Sequence, residues 1–194
     1  MRYPAGHKQK TSDKILDTAG RLFRQHGYEG TGVDKVMAAA GLTAGGFYSH
    51  FSSKQDLLAG ALDHVFCAAQ KDRPAQLSKL AGHEWLQGFV SFYLSKQHRD
   101  SPARGCPIAS LAGEGSRIGG KPRTVFRQHA QRVIDSIARQ FDGERPDRQR
   151  AIITMAQCLG GLLLARAVGK SELSEEILAT CKESVMDEIA RLEM

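Results

Sequence analysis

Apolar residues recur along nearly the whole chain at the three- and four-residue spacing of helices that bury one face. Strand-like alternation of apolar and polar residues is absent from the sequence, which therefore predicts an all-α protein. A first helix is expected over residues 12–26, ending at Gly27. Its buried face is predicted to consist of Ile15, Leu16, Ala19, Leu22 and Phe23.

A short second helix is expected from just after Thr31 to Ala40. Asp34 follows Thr31 at the spacing of a capping box, in which a hydroxyl and an acidic side chain bind backbone amides at the start of a helix. Gly41 can adopt the left-handed conformation that ends a helix. The sequence therefore predicts a tight turn at Gly41.

A third helix is expected over residues 44–50, with Thr43 as its cap. Ser52 and Gln55 have the spacing of a second capping box, which predicts a fourth helix directly afterwards. Three short helices with a glycine turn between the second and third have the arrangement of a helix-turn-helix, which inserts one helix into the major groove of DNA.

Longer helices are predicted for the rest of the chain, with Pro107 in the first turn of one of them. The glycines and the proline of residues 115–122 are expected to interrupt that helix. The expected helices cover residues 53–73, a short stretch at 74–80, and residues 85–97, 107–141, 147–168 and 174–192.

The residue types of the third helix favour a surface that contacts a partner. Gly45 and Gly46 each cost a helix about 1 kcal/mol relative to alanine, so stability alone does not account for them. Small residues let backbone approach a groove wall closely. Tyr48 and His50 can present polar ring atoms to phosphates, and Lys54 adds a positive charge nearby. Phe47 and Phe51, by contrast, are predicted to be core residues.

The segment from Ile15 to Leu62 resembles the DNA-binding domain of the TetR family of bacterial transcriptional regulators. The residues that carry the resemblance are Ala19, Phe23, Gly27, Tyr28, Thr31, Val33, Ala40-Gly41-Leu42-Thr43, Gly46-Phe47-Tyr48-Ser49-His50-Phe51, Ser53-Lys54 and Leu57-Leu58. They cover about a quarter of the chain.

The resemblance implies that the third helix reads bases and that residues around it bind phosphates. The implied phosphate contacts come from Thr31, Tyr48, His50 and Lys54. The implied base contacts come from Thr43, Ala44, Gly45 and Ser49.

The chain departs from many relatives at Gly32, where a hydroxyl residue is common, and at the small residues Ala44 and Ser49. Few side chains remain for bidentate base contacts. Thymine methyl contacts or DNA shape are therefore expected to supply part of the specificity. The basic residues at the amino end, Arg2, His7, Lys8 and Lys10, are compatible with either a solvated tail or an arm on DNA.

The last two predicted helices are unusually apolar and contain small residues that permit close helix approach. The resemblance implies that they form a four-helix contact between two subunits. The predicted homodimer interface consists of Ile152, Ile153, Leu159, Gly160, Leu163, Val185 and Ile189.

The middle helices are expected to enclose a pocket for a small-molecule effector, although a plain aromatic core would have the same spacing. Its candidate lining is Phe66, Trp85, Phe89, Phe92, Tyr93, Cys106, Met155 and Cys158. Cys106 precedes Pro107 at an expected helix N-terminus, which favours a reactive thiolate. This motif resembles that of TetR relatives that sense electrophiles or oxidants; a buried structural cysteine is the alternative.

Composition narrows the remaining choices. The 194 residues carry a formal charge of +6, which favours an acidic partner such as double-stranded DNA. The start lacks a secretory signal, the four cysteines are far apart, and the apolar stretch 152–168 is short for a membrane span. We therefore expect a cytoplasmic protein without a membrane partner, a metal site or a cofactor.

Residues 1–53 are predicted to form the DNA-binding domain and residues 54–194 the ligand-binding and dimerisation domain. The favoured function is a dimeric repressor of a palindromic operator, released by a small-molecule or electrophile effector. An all-helical enzyme that binds a small molecule, a non-specific architectural DNA binder and an activator remain alternatives. No nucleophile–base arrangement supports the enzyme.

Overall fold

The computed structural model describes residues 5–71, 77–141 and 146–191. The fold is 81% helical, and no β-strand occurs within these ranges, so the all-α prediction is confirmed. The described residues fall into two compact units. The first comprises residues 5–71 and 103–129, and the second comprises residues 77–102, 130–141 and 146–191. The division of roles at residue 53 concerns function and stays a prediction.

The first unit contains the amino-terminal helices and a second pair of helices from the middle of the chain. Its elements are α1 (Ala5–His26), α2 (Val33–Ala39), a 3₁₀ helix (Ala44–Ser49), α3 (Lys54–Lys71), α6 (Pro107–Ile118) and the first half of α7 (Gly120–Ala138). α1 packs mainly on α3, and the predicted apolar positions Ile15, Ala19 and Phe23 are fully buried there. α1 starts earlier than predicted and ends before Gly27, whose φ is +74°.

Both predicted capping boxes are wrong in detail. Gly32, not Thr31, precedes α2, and it offers no side-chain cap. At α3 the box lies one residue later than predicted: the Ser53 hydroxyl accepts from the amide of Asp56 at 3.1 Å, and the Asp56 carboxylate accepts from Ser52. An aspartate thus replaces the expected glutamine, because the helix begins at Lys54.

The predicted break in the middle of the chain is confirmed. α6 ends at Ile118, and α7 starts at Gly120. The intervening turn needs glycine, because Gly119 and Gly120 have φ angles of +73° and +54°, in the region that side chains disfavour. Pro107 occupies the first turn of α6, as predicted.

The second unit is built around two long carboxy-terminal helices. Its elements are α4 (Gly82–Tyr93), α5 (Lys96–Asp100), the second half of α7, α8 (Arg148–Ala167) and α9 (Glu172–Ala190). α8 and α9 are antiparallel, because the Ser174 hydroxyl donates to the carbonyl of Ala165 and Gln157 donates to Ser184 at the other end. Leu162 and Cys158 of α8 lie in the core between them.

The single helix predicted over residues 85–97 is wrong, because α4 ends at Tyr93 and α5 begins afresh at Lys96. The Ser95 hydroxyl accepts from the amide of His98 at 3.1 Å and so caps α5. Arg166 of α8 donates to the carbonyls of His98 and Arg99, which fixes the short helix in place. Short 3₁₀ turns occupy Leu77–Lys79 and Pro102–Arg104, and residues 72–76 of the helix expected at 74–80 lie outside the described ranges.

α8 is long and apolar enough to cross a membrane by length and composition alone. Its buried residues include Ala151, Met155 and Leu162, and 39% of its most apolar window is buried inside the protein. The core helix of a soluble protein passes the same test, so this property is weak support for a membrane span.

Candidate nucleic-acid interface

The 3₁₀ helix Ala44–Ser49, here called the recognition segment, is anchored by one buried ring. Phe47 is 1% exposed, stacks on Phe51 at 5.8 Å between ring centroids, and meets the edge of Tyr48 at 5.1 Å. Both Phe47 and Phe51 are core residues, as predicted. The anchor holds the segment against α2 and leaves its other side outward.

The segment is a 3₁₀ helix where an α-helix was predicted. Thr43 occupies the cap position but makes no side-chain cap bond, and only its carbonyl accepts from the amide of Gly46, at 3.1 Å. Gly45 and Gly46 weaken helix propensity in so short a stretch, and three-residue hydrogen bonds suit short stretches.

The outward side consists of small and polar residues. Thr43, Ala44, Gly45 and Ser49 are exposed, and Tyr48 is 78% exposed. A Cβ added at Gly45 would meet nothing within 4 Å, so packing inside the protein does not require glycine there. The open space suits a partner that approaches the backbone closely. The Ser49 hydroxyl donates to the carbonyl of Gly46 at 2.7 Å, which leaves its oxygen as an acceptor.

The predicted phosphate-binding side chains differ in how they are held. His50 is half-buried beside Phe51, with 6.2 Å between ring centroids. The Lys54 ammonium lies 4.1 Å from the centroid of the Tyr28 ring, a cation–π contact that places its charge at the start of α3. Burial, and then the charge of Glu29, raise the pKa of Tyr28, so the ring under Lys54 stays neutral at physiological pH.

Tyr28 is itself held by α6. Both carboxylate oxygens of Glu114 accept from the Tyr28 amide, at 3.0 and 3.1 Å. Gly27 makes room for this contact, because a Cβ there would lie 2.7 Å from a Glu114 oxygen. A carboxylate of α6 therefore fixes the residue that supports Lys54. Sequence reasoning missed this role of Glu114, because nothing near residue 114 signals a partner at residue 28.

Thr31 requires a correction. It is fully buried, and its hydroxyl donates to the carbonyl of Leu22 at 3.3 Å. Its side chain offers no surface to a phosphate, so the implied phosphate contact does not fit this geometry. The hydroxyl instead joins the segment before α2 to α1.

Lys14 is a cation near the turn that sequence reasoning did not select. Its ammonium lies 3.6 Å from the position that a Cβ on Gly41 would take, and the residue is exposed. Its place on the polar face of α1 was the available signal. Of the basic arm, Lys8 and Lys10 are exposed, whereas Arg2 lies outside the described residues.

The predicted effector residues are divided between the two units. Phe66 and Cys106 belong to the first, and the other six belong to the second. In the second unit Trp85 stacks on Phe89 at 5.3 Å, and Phe89 contacts Tyr93 at 5.5 Å. Met155 and Cys158 are buried in the same unit, and burial raises the pKa of Cys158 to about 12.

Phe92 requires a correction. Its side chain is 44% exposed and stacks on His98 at 5.5 Å, so it does not fit the lining of a buried pocket. By helical period Phe92 shares a side of α4 with Trp85 and Phe89, but it lies in the last turn of the helix, where one side of the ring remains exposed.

In the first unit, Phe66 stacks on His129 with 4.0 Å between ring centroids. Nearby, a depression is filled so closely that it leaves no room for a water molecule. It is lined by Gly20, Phe23, Arg24, Leu58, Ala61, Leu62, Val65, Pro107 and Leu111. The effector pocket therefore stays a prediction.

Cys106 occupies the cap position of α6 and is half-buried. Arg24 of α1 lies beside it and donates from Nε to the carbonyl of Ala103 at 2.8 Å. Burial lowers the pKa of Arg24 to about 10, while Cys106 and Asp17 act in the opposite direction. The guanidinium therefore carries its positive charge at neutral pH, next to the Cys106 sulfur.

The predicted dimer residues differ in whether they are exposed at the surface or buried in the core. Ile152, Ile153 and Leu163 are 48%, 41% and 43% exposed, and Leu159 and Gly160 are half-buried. Val185 and Ile189 are a correction: at 0% and 1% exposure they belong to the core under α8 and have no surface left for a partner.

Three further large apolar side chains that the sequence did not single out are exposed in this region. These are Leu164 at 58%, Val168 at 39% and Leu173 at 51%. On α8 the exposed positions recur at helical spacing and form one face, here called the α8 face. It consists of the half-buried Gly160 and the exposed residues around it, which are Ile152, Ile153, Ala156, Leu163, Leu164 and Ala167.

No group of three or more histidine, cysteine, aspartate or glutamate side chains that could hold a metal occurs within the described ranges.

Comparison with known proteins identifies the helix-turn-helix. Residues 15–61 match the sequence pattern of the bacterial regulatory proteins of the tetR family. The HTH-type transcriptional repressor ComR of Escherichia coli K12 is 37% identical over 146 residues, which cover 69% of this chain and 67% of ComR. The chain belongs to the TetR family.

Other TetR family proteins resemble the chain over most of its length. The HTH-type transcriptional repressor NemR of Escherichia coli K12 is 23% identical over 187 residues, or 90% of this chain and 94% of NemR. The crystal structure of reduced E. coli NemR gives a TM-score of 0.74 at 22% identity, covering 90% of this chain and 96% of that chain. A TetR regulator from Chloroflexus aurantiacus J-10-FL gives 0.76 at 23% identity, covering 92% and 96%. These structures establish the shared fold.

Membership in the TetR family makes the protein a DNA-binding transcriptional regulator rather than an enzyme, with double-stranded DNA as its partner. The recognition segment and the residues around it lie within the matched residues 15–61.

Proposed function

We propose that this protein is a cytoplasmic repressor that binds a palindromic operator as a homodimer. The observation that carries the proposal is the outward side of the recognition segment, where Gly45 faces open space and Tyr48 is 78% exposed. The backbone at Ala44 and Gly45 would lie against base edges, and Tyr48, His50 and Lys54 would bind the flanking phosphates. ComR and NemR are both named repressors, which supports the direction of regulation.

The α8 face supports the dimer. It exposes large apolar side chains around Gly160, where an added Cβ would meet nothing within 4 Å. Exposed apolar surface of this kind marks an interface, and the missing side chain permits close approach of a partner helix. Two subunits would then present two recognition segments to half-sites about one DNA turn apart, roughly 34 Å.

The experiment is selection of operator sequences from random duplex DNA by the full-length protein, followed by footprinting. A discrete palindrome protected by a dimer is the expected result. Tyr48→Phe should weaken binding to that palindrome about tenfold, because it removes one hydrogen bond to a charged phosphate. Diffuse coating of every duplex would overturn the proposal and favour an architectural role.

We also infer that an effector releases the protein from DNA, and Cys106 makes an electrophile the favoured effector class. Cys106 lies at the start of α6, is half-buried rather than enclosed, and neighbours the positively charged Arg24 guanidinium. Addition of the sulfur to an activated alkene forms a C–S bond, and a proton from solvent completes the adduct. The adduct would displace α6, and Glu114 of that helix holds the Tyr28 that supports Lys54. The solved structure of E. coli NemR is of a reduced form, which is a property of NemR itself.

The test uses N-ethylmaleimide as the probe and the selected operator as the readout. The wild-type protein should lose operator affinity on alkylation, whereas Cys106→Ser should keep it. Cys67→Ser is the matched control, because Cys67 is exposed on α3 and should not transmit the effect. An unchanged response of Cys106→Ser would rule out Cys106 as the electrophile sensor and leave a non-covalently bound small molecule as the alternative effector.

A further inference from the structure

The turn between α6 and α7 carries a group of exposed cations. Arg117 precedes the turn, and Lys121 and Arg123 follow it; these three residues are called the junction cluster. All three are exposed, with Lys121 at 73% of its side chain. Across the turn, the Arg123 guanidinium donates to the carbonyl of Ser116, which places it beside the last turn of α6 next to Arg117.

The junction cluster lies beside the helix-turn-helix. The Lys121 ammonium is 2.6 Å from one oxygen of Asp56, and the other oxygen of Asp56 accepts from the amide and the hydroxyl of Ser52, each at 3.2 Å. Ser52 is two residues beyond His50. A single carboxylate therefore separates Lys121 from the end of the predicted DNA-binding surface.

A second observation places the turn near the start of α3. A Cβ on Gly120 would lie 4.0 Å from the amide oxygen of Gln55, in the first turn of α3. The turn between α6 and α7 thus lies close to Gln55, and the Lys121–Asp56 ion pair joins it to the start of α3. The side chains that flank the turn have a defined position relative to Lys54.

The charges around Asp56 indicate which kind of partner this edge of the protein favours. Asp56 would repel phosphates at the DNA edge if it stood alone. The Lys121 hydrogen bond, followed by that of the Ser52 amide, lowers the pKa of Asp56, so the carboxylate is ionised and paired at neutral pH. With Asp56 balanced by Lys121, the exposed positive charges of Arg117 and Arg123 remain at this edge.

We propose that the junction cluster binds the DNA backbone that flanks the bases read by the recognition segment. The occupant is duplex phosphate, because the cluster is continuous with the DNA-binding surface and carries the opposite charge. Contacts of this kind add affinity and widen the footprint without adding sequence preference. The inference rests on the operator binding proposed above.

The experiment compares the wild-type protein with Arg117→Gln/Arg123→Gln, which leaves the Lys121–Asp56 pair intact, on a selected operator. Affinity is measured as a function of salt on two duplexes: one trimmed to the palindrome, and one extended by about ten base pairs on each side, roughly one helical turn. On the extended duplex the variant should bind about tenfold more weakly. The slope of log affinity against log salt should fall by about 0.9 for each lost phosphate contact.

The matched control is Arg132→Gln/Arg139→Gln, which removes the same charge from exposed positions of the second unit. It should retain the wild-type slope and affinity on both duplexes. Thermal unfolding of each variant checks that the fold persists, and Lys121→Arg should bind like the wild type.

The outcomes separate the two proposals. A wild-type protein that selects no duplex refutes the proposed operator binding. A wild-type protein that binds its operator selectively, while Arg117→Gln/Arg123→Gln keeps the same salt slope on the extended duplex, refutes the junction cluster alone. An equal loss on the trimmed and extended duplexes also overturns it, because the contact would then lie within the palindrome.

Discussion

The recognition segment and the α8 face both have residues that packing inside the protein does not explain. The two surfaces differ in whether a side chain is absent or is exposed. At the recognition segment, a side chain is missing where there is room for one: Gly45 faces open space. On the α8 face, large apolar side chains are present where water would meet them, as at Leu164, which is 58% exposed.

The two patterns correspond to two kinds of partner. A groove of DNA needs close backbone approach and polar contacts, so small residues and a few donors suffice. A second protein subunit supplies apolar surface, so exposed leucines and isoleucines gain from being covered. The same protein thus presents a polar surface to its nucleic-acid partner and an apolar surface to its proposed second subunit.

Leu164→Glu should reduce operator affinity more than any other single substitution proposed for this protein. It places a charge on the α8 face, where the proposed dimer would bury it without a partner. The operator affinity should fall about 100-fold or more, because the two half-sites would no longer be bound together. Sedimentation should report a monomer, and thermal unfolding should show a folded protein.

Gln131→Glu is the control for this change, because it introduces a similar charge at an exposed position of α7. A dimer that persists in Leu164→Glu would mean that the α8 face is covered by something other than a second copy.

Gly45→Leu should reduce operator affinity on the order of 30-fold, equivalent to about 2 kcal/mol of groove contacts. The added side chain meets nothing inside the protein, so the unfolding temperature should stay the same. Gly113→Leu is the matched control, because Gly113 of α6 is also exposed with open space around it. If both variants bind the operator equally well, the recognition segment does not approach DNA at Gly45.

Thr31→Val should lower stability by about 1 kcal/mol while leaving operator affinity unchanged, because the hydroxyl serves a buried hydrogen bond. Thermal denaturation and DNA titration measure the two effects separately. The opposite result, weaker DNA binding at unchanged stability, would restore the phosphate contact implied by the family resemblance.

Acidification should act on the second unit through His98. Burial lowers the pKa of this imidazole below its usual 6.5, although the hydrogen bond that Nδ1 donates to the Tyr93 carbonyl acts in the opposite direction. The unfolded chain therefore binds a proton at a higher pH than the folded one. Stability is complete above about pH 6.5 and decreases as pH falls towards the lowered value.

Chemical denaturation at a series of pH values from 6.5 downwards measures this loss in the free energy of unfolding. The loss should be smaller than the free-energy change expected for any substitution above. His98→Gln should flatten the pH dependence. A stability curve that is equally steep in His98→Gln would assign the proton uptake to another group.

Much of the fold was predictable because helix periodicity and glycine turns are local signals. The buried face of α1 and the break at Gly119 and Gly120 follow directly from them. The split between α4 and α5 was missed, because the aromatic spacing runs on past Tyr93 and hides the weaker capping signal of Ser95. The 3₁₀ form of the recognition segment was missed because helix propensity does not distinguish two helix types over six residues.

The residues of the candidate site were predictable only where they lie close together in the sequence. The segment from Thr43 to Lys54 carries its glycines, ring hydroxyl and charge within one turn region, so its residues could be named. The α8 and α9 residues could not be sorted in the same way. Val185 and Ile189 are as apolar as Ile153, and only packing distinguishes the inner face from the outer one. Glu114 and Lys121 depend on contacts across 86 and 65 positions of the chain.

The Glu114 contact has a consequence for how such a regulator changes over evolutionary time. The Glu114 carboxylate on α6 accepts from the main-chain amide of residue 28, and every residue except proline offers that donor. This hydrogen bond depends neither on the base sequence of the operator nor on the structure of a proposed effector. Under the proposed mechanism, substitutions on the effector side of Glu114 would therefore leave operator preference unchanged, and substitutions in the recognition segment would leave the effector response unchanged.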